Sequence, residues 1–208
     1  MRRTRIKICG ITRVEDALVA AQLGVDAIGL VFYPQSSRFI DVTTAVQIVQ
    51  VLPPFVTVVG LFVDAERVQV EATLRQVNLG MLQFHGHEDP DYCASFNIPF
   101  LKAVPMGMAT DLADYGWRFQ QAAGLLLDSH GGDKTGGSGQ RFDWRKIPKN
   151  MPNPIILAGG LDPYNVVEAI QRVQPFAVDV SSGVESAKGI KDCRLMQLFI
   201  ESVNRGDS

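Results

Sequence analysis

The feature that most constrains this chain is the regular alternation of short apolar segments with stretches of helical periodicity. The apolar segments are Ile6–Cys9, "DAIGLVF" (26–32), "VTVVGLFV" (56–63), "MLQF" (81–84), "PFLKAV" (99–104), "GLLLD" (124–128), "PIILAG" (154–159) and "FAVDVS" (176–181). Each is short and mostly apolar, as a strand buried on both faces must be. Between them the spacing turns helical: Val14, Ala17, Leu18 and Ala21, for example, fall on one face of a turn of 3.6 residues. Helical patterns cover residues 14–23, 43–52, 65–76, 88–96, 109–121, 163–173 and 190–204, and the segment after Asp128 supports at most a short helix near 143–146.

Such alternation implies parallel strands joined by right-handed crossovers. Eight repeats in 208 residues predict an α/β fold: a single-domain (β/α)8 TIM barrel over 1–208, with eight parallel strands and surrounding helices. The helix after strand 6 is expected to be short or partly loop. The pattern alone leaves a doubly wound open sheet as the alternative, although that fold usually has fewer strands at this length.

Composition narrows the partners. A formal net charge of −2 leaves no basic footprint for nucleic acid and no polybasic membrane anchor. No window approaches the roughly 18 apolar residues of a spanning helix, and "MRRTRIKICG" lacks the apolar core of a secretory signal. The three cysteines, Cys9, Cys93 and Cys193, are odd in number and widely spaced, which disfavours a disulfide framework and offers no C-x-x-C metal spacing. A reducing, cytoplasmic setting is expected. Cys93 and Cys193 lie in helical patterns and are expected to be packing residues, and His87 and His130 to be surface residues.

A barrel of this kind carries its chemistry where strands end and the following loops begin. The unusual residues fall there: Cys9, Arg38, Asp64, Gln83, His85, Asp128, Gly159, Gly160, Asp179, Ser181, Ser182 and Gly183. "LAGGL" and "VSSGVE", on consecutive strands, allow close backbone approach to an anion, and loops 7 and 8 of barrels commonly hold a phosphate. The stretch "HGGDKTGGSGQRFDW" (130–144) matches neither the phosphate-loop nor the dinucleotide spacing, and reads as a lid over the site. Taken singly, Cys9 is a small buried apolar residue and Asp128 an ionised capping group. Together, opposed on strands 1 and 6 of one barrel, they favour a chemical role over either of those readings.

"KICGIT", "GLVFYPQSSRFI", "VGLFVD", "QFHG", "LLLDS", "GGSGQRFDW", "ILAGGL" and "VDVSSGVES" occur in that order. In this combination the chain closely resembles the phosphoribosylanthranilate isomerases of tryptophan biosynthesis over essentially its whole length. The resemblance implies a (β/α)8 barrel that performs an Amadori rearrangement of N-(5'-phosphoribosyl)anthranilate to 1-(2-carboxyphenylamino)-1-deoxyribulose 5-phosphate. No cofactor and no metal is implied. The partner would be the small phosphosugar–anthranilate substrate; a monomer and a homodimer both remain open.

By the same resemblance Cys9 is the general base, Asp128 the general acid, and Arg38 the holder of the anthranilate carboxylate. Gln83, His85 and Asp179 are implied at the substrate site, with His85 touching substrate, orienting the base or standing simply as a hydrogen-bonded strand-end imidazole. Asp179 either supports the site or pairs structurally within the barrel. Gly159, Gly160, Ser181, Ser182 and Gly183 would bind the phosphate. Phe84 stands where the family usually has leucine, and Ser138 where it usually has threonine. The histidine-pathway isomerase resembles this chain in fold but uses an aspartate where Cys9 stands, and "FLKAV" lacks the acid that enzyme needs on strand 5. A binding barrel without catalysis is the other alternative, disfavoured by the presence of both Cys9 and Asp128.

Overall fold

The computed structural model describes residues 3–106, 110–129, 142–148 and 150–207. Eight strands form one closed parallel barrel in sequence order: β1 (Arg5–Cys9), β2 (Ala27–Val31), β3 (Thr57–Phe62), β4 (Met81–Phe84), β5 (Phe100–Pro105), β6 (Gly124–Asp128), β7 (Ile155–Leu157) and β8 (Ala177–Val180). The ring closes where β8 pairs with β1. The helices are α1 (Val14–Gln22), α2 (Val42–Gln50), α3 (Arg67–Leu74), α4 (Pro90–Ala94), α5 (Leu112–Arg118), α6 (Val166–Val173) and α7 (Cys193–Gly206).

All eight expected strands are present, so the open-sheet alternative is excluded. After β6 the described chain forms only a 3-10 turn, Trp144–Lys146, as its sequence suggested. Most of the predicted lid, including His130 and Ser138, lies outside the described residues. Two short elements escaped the sequence reading. β9 (Glu185–Ala187) and β10 (Ile190–Lys191) pair antiparallel beyond β8, so the last helix begins at Cys193 rather than near 190.

Alternation along each strand sorts side chains between two cores. Ile6, Ile8, Ile28, Leu30, Phe62, Leu82, Leu125, Leu127 and Val178 face outward and pack against Ala17, Ile48, Val70, Ile170 and Phe199 of the helical ring. Inside, Leu101, Ala103, Leu126, Ile156, Ala158 and Ala177 fill the lower barrel. Aspartates at the helix starts satisfy open backbone donors: Asp41 accepts from Thr44, Asp89 from Tyr92 and Asp192 from Leu195. Cys93 is fully buried as expected. Cys193 is not: the first residue of α7 points to solvent, because the apolar stripe of that helix runs through Met196, Phe199, Ile200 and Val203 instead.

The aromatic at position 84 has a structural reason. Its ring lies 5.8 Å from Phe96, 6.0 Å from Phe100 and 5.6 Å from Tyr92, a cluster that a leucine could not complete. Phe84→Ala is expected to cost about 3–5 kcal/mol of unfolding free energy, measured by urea denaturation.

Candidate active site

The strand-end residues singled out from the sequence divide into groups with different surroundings. Cys9 ends β1 with its side chain inside the barrel, 6% exposed. The chain then turns at Gly10, whose φ of 73° is left-handed, and the aliphatic stem of Arg38 lies directly over it where any Cβ would collide. Arg38 thereby reaches across the mouth to Glu185 on β9. Nε and Nη2 of Arg38 each donate to a different carboxylate oxygen at 2.7 Å, a bidentate fork. Lys191 on β10 donates to the same Glu185 at 2.7 Å and to the Ser181 carbonyl at 3.2 Å.

Glu185 and Lys191 were not singled out in the sequence. Burial alone would push the Glu185 carboxyl up, but the Arg38 fork and Lys191 outweigh it and hold it below the ordinary value of about 4.5. Burial pulls the Lys191 ammonium down despite Glu185 beside it.

A second group surrounds Asp128 at the end of β6. His85 Nε2 lies 3.2 Å from Asp128 Oδ2, and His85 Nδ1 lies 3.0 Å from the Gln83 amide nitrogen. Nε2 of His85 therefore faces the carboxylate and Nδ1 faces the Gln83 amide, whose orientation sets the ring tautomer. His85 is an imidazole just beyond β4 with the Asp128 carboxyl beside it on one edge and Gln83 on the other. Gln83, 1% exposed, sits one layer deeper and meets His85 rather than the open mouth. The loop carrying His85 is pinned from outside the barrel. Lys102 donates to Glu88 at 2.7 Å and to the Gly86 carbonyl at 2.6 Å, and Glu88 accepts from the Asp64 and Gly86 amides. Asp64 is thus part of loop packing, next to a solvent-exposed His87.

Asp179 pairs with a cation inside the barrel. Its Oδ1 accepts from Lys7 Nζ at 2.9 Å, and both side chains are buried in the barrel interior. Asp179 and Cys9 together hold Lys7 protonated against the burial that would neutralise it. Burial pushes the Cys9 thiol up; Lys7 and Lys191 oppose that rise, and Asp179 adds to it. The signal for Lys7 was present in the sequence, as a lone charge in an apolar strand two residues before Cys9.

The glycine and serine loops form the third group. Gly159 and Gly160 follow β7 with φ of 78° and 69°, and Asn165 holds the Gly160 carbonyl at 2.9 Å. Ser182–Val184 form a 3-10 turn after β8. Gly159 lies against Ser129 of the loop after β6, and Gly183 against Leu161 of the loop after β7, so the three loops are in close contact.

Fold and site together define a (β/α)8 barrel whose polar groups gather toward the C-terminal ends of its strands. Residues 6–202 match the family model described as N-(5'phosphoribosyl)anthranilate (PRA) isomerase. An N-(5'-phosphoribosyl)anthranilate isomerase of Alcanivorax borkumensis is 51% identical over 206 residues, covering 96% of this chain and 94% of its own. A crystal structure of phosphoribosyl anthranilate isomerase from Thermotoga maritima superposes with a TM-score of 0.90 at 41% identity, covering 97% of this chain and 99% of its own. Another, of the isomerase in complex with reduced 1-(o-carboxyphenylamino)-1-deoxyribulose 5-phosphate, gives 0.86 at 38% identity, with coverage of 97% and 99%. The chain belongs to the phosphoribosylanthranilate isomerase family.

The Glu185 cluster has a measurable signature. A carboxyl lowered in the folded state contributes stability that is present above its unfolded pKa and lost as pH falls through the folded one. Wild-type protein should therefore lose stability as pH drops below about 4.5. Glu185→Gln should lose less over the same range, read as a shallower fall of the urea midpoint between about pH 5 and 3.

Proposed function

We propose that the chain catalyses the rearrangement for which its family is named, with Asp128 as general acid and Cys9 as general base. Asp128 gives its proton to the furanose ring oxygen of N-(5'-phosphoribosyl)anthranilate. The C1–O bond breaks, and the nitrogen lone pair completes a protonated imine. Cys9, as thiolate, takes the proton from C2 of the sugar, and the electrons of that C–H bond neutralise the imine to give an enolamine. Protonation at C1 and loss of the C2 hydroxyl proton yield the ketone. The step is an isomerisation, with no net gain or loss of atoms. The cationic imine acidifies the C2–H bond, so a moderate base suffices.

The observation that carries this reading is the approach of two opposite chemistries to one mouth. A buried thiol ends β1, a carboxyl held by His85 ends β6, and these strands lie three positions apart around the closed ring. Arg38 binds the anthranilate carboxylate: the fork to Glu185 uses only two of its five donors and fixes the guanidinium plane. Gly159, Gly160, Ser181, Ser182 and Gly183 receive the phosphate through backbone amides. His85 and Gln83 act on the acid side and Asp179 on the thiol side, and residues 1–208 work as one catalytic unit. Among the described residues no helix is long and apolar enough to cross a membrane.

The test is to generate phosphoribosylanthranilate enzymatically and follow loss of its fluorescence on adding the protein. Acceleration over buffer is expected, and none would reduce the chain to a ligand-binding barrel. Cys9→Ser and Asp128→Asn should each lower kcat by about 10² or more with the circular dichroism spectrum unchanged, the range for acid–base groups. Near-normal turnover in either variant would remove that residue from its role.

A further inference from the structure

The barrel interior holds one cation that the reaction scheme leaves unused. Lys7 precedes Cys9 by two residues on β1, so both side chains enter the barrel from the same strand face. The Lys7 side chain is 5% exposed, and its ammonium is fixed 2.9 Å from Asp179 Oδ1 on β8. On the other side of β1, Cys9 stands opposite Gly29 of β2. A Cβ at Gly29 would lie 2.7 Å from Cys9 Sγ and 3.2 Å from Lys7 Nζ. Sulfur and ammonium therefore share the hollow that Gly29 leaves open.

Four charged groups bear on this thiol: Lys7 from its own strand, Asp179 from β8, Lys191 from β10 and Arg38 from the loop after β2. Lys7 acts most strongly among them, Asp179 in the opposite sense and more weakly, and Lys191 more weakly still. Around the sulfur, Lys7 is paired with Asp179, and Arg38 and Lys191 with Glu185; Asp128 and His85 face Asp179 from β6 and the loop after β4. A thiol buried without a cation beside it would stay protonated and inert.

We propose that Lys7 is a positioning residue, the counter-ion that favours the Cys9 thiolate against burial, with Asp179 fixing the ammonium and Gly29 giving both atoms room. This deepens the reading of Cys9 as the base and rests on it for its catalytic meaning. Lys7 acts through the sulfur and needs no contact with substrate.

The test reads the thiolate directly. In a Cys193→Ser background the exposed thiol is gone, and Cys93, pushed up to about 12 by burial, stays unreactive. The rate of iodoacetamide alkylation at Cys9, located by peptide mass, is followed from about pH 6 to 10 alongside kcat/KM, since thiolate and not thiol reacts. Lys7→Met should move the alkylation midpoint and the acid limb of kcat/KM upward by about one unit or more, a tenfold loss of rate near neutrality, with KM changed little. Because Lys7→Met strands Asp179 in the barrel, Lys7→Met/Asp179→Asn provides a variant with no unpaired buried charge. There the midpoint should still rise, by less, because Lys7 outweighs Asp179. A midpoint unmoved in the folded double variant overturns the proposal. Alkylation does not depend on turnover, so the outcome stays separate from that of Cys9→Ser: if that variant keeps its activity, Cys9 is not the base, while the coupling of Lys7 to its sulfur is still decided.

Discussion

The structure depends on how the barrel closes. β1 and β8, the two strands farthest apart in sequence, must pair in one register, and at that seam Lys7 lies directly opposite Asp179. Burying both charges carries a desolvation cost that mutual attraction offsets only in good geometry, so the pair is weak evidence for stability. What it does supply is register. Because side chains alternate between the two faces, a slip of one residue would turn Lys7 into the helical ring and strand Asp179 in the interior. A closed barrel tolerates only mutually consistent staggers, and one misplaced strand would misplace the whole mouth.

Above the seam, ion pairs continue the closure through loops that share no ladder. Arg38 from the loop after β2 and Glu185 from the ribbon after β8 are 147 residues apart in sequence, yet they meet in a bidentate fork beside Cys9. On the opposite side, Lys102 and Glu88 hold the loop after β4 from beneath, and that loop carries His85 toward Asp128. The thiol and the carboxyl are therefore each set by partners on other strands. The described part of the mouth is polar because its supports are buried pairs, whereas the lower interior is filled by Leu101, Leu126 and Ile156.

Much of the fold was legible from periodicity. Strands such as "GLLLD" and helices such as 163–173 announce themselves by the spacing of apolar residues, because each must bury a face whatever its neighbours are. The ribbon Glu185–Lys191 was not legible: it is too short to alternate, and its strands pair only with each other. Cys193 was misread because an apolar residue within a helical pattern need not lie on the buried stripe. Phe84 needed the structure as well, since its three aromatic neighbours come from α4, the turn after it and β5.

By itself the sequence determined the eightfold alternation, the family to which it corresponds, the strand ends at which Cys9 and Asp128 stand, and the loop that carries Arg38. These follow from local spacing and from motifs read in order along the chain. Only the tertiary structure decided that Lys7 shares a hollow with Cys9, that His85 lies beside the Asp128 carboxyl, and that Glu185 aims Arg38. The physical reason is that the charge state and direction of a buried side chain are set by atoms a few ångströms away in space. In a closed barrel those atoms come from strands at opposite ends of the chain.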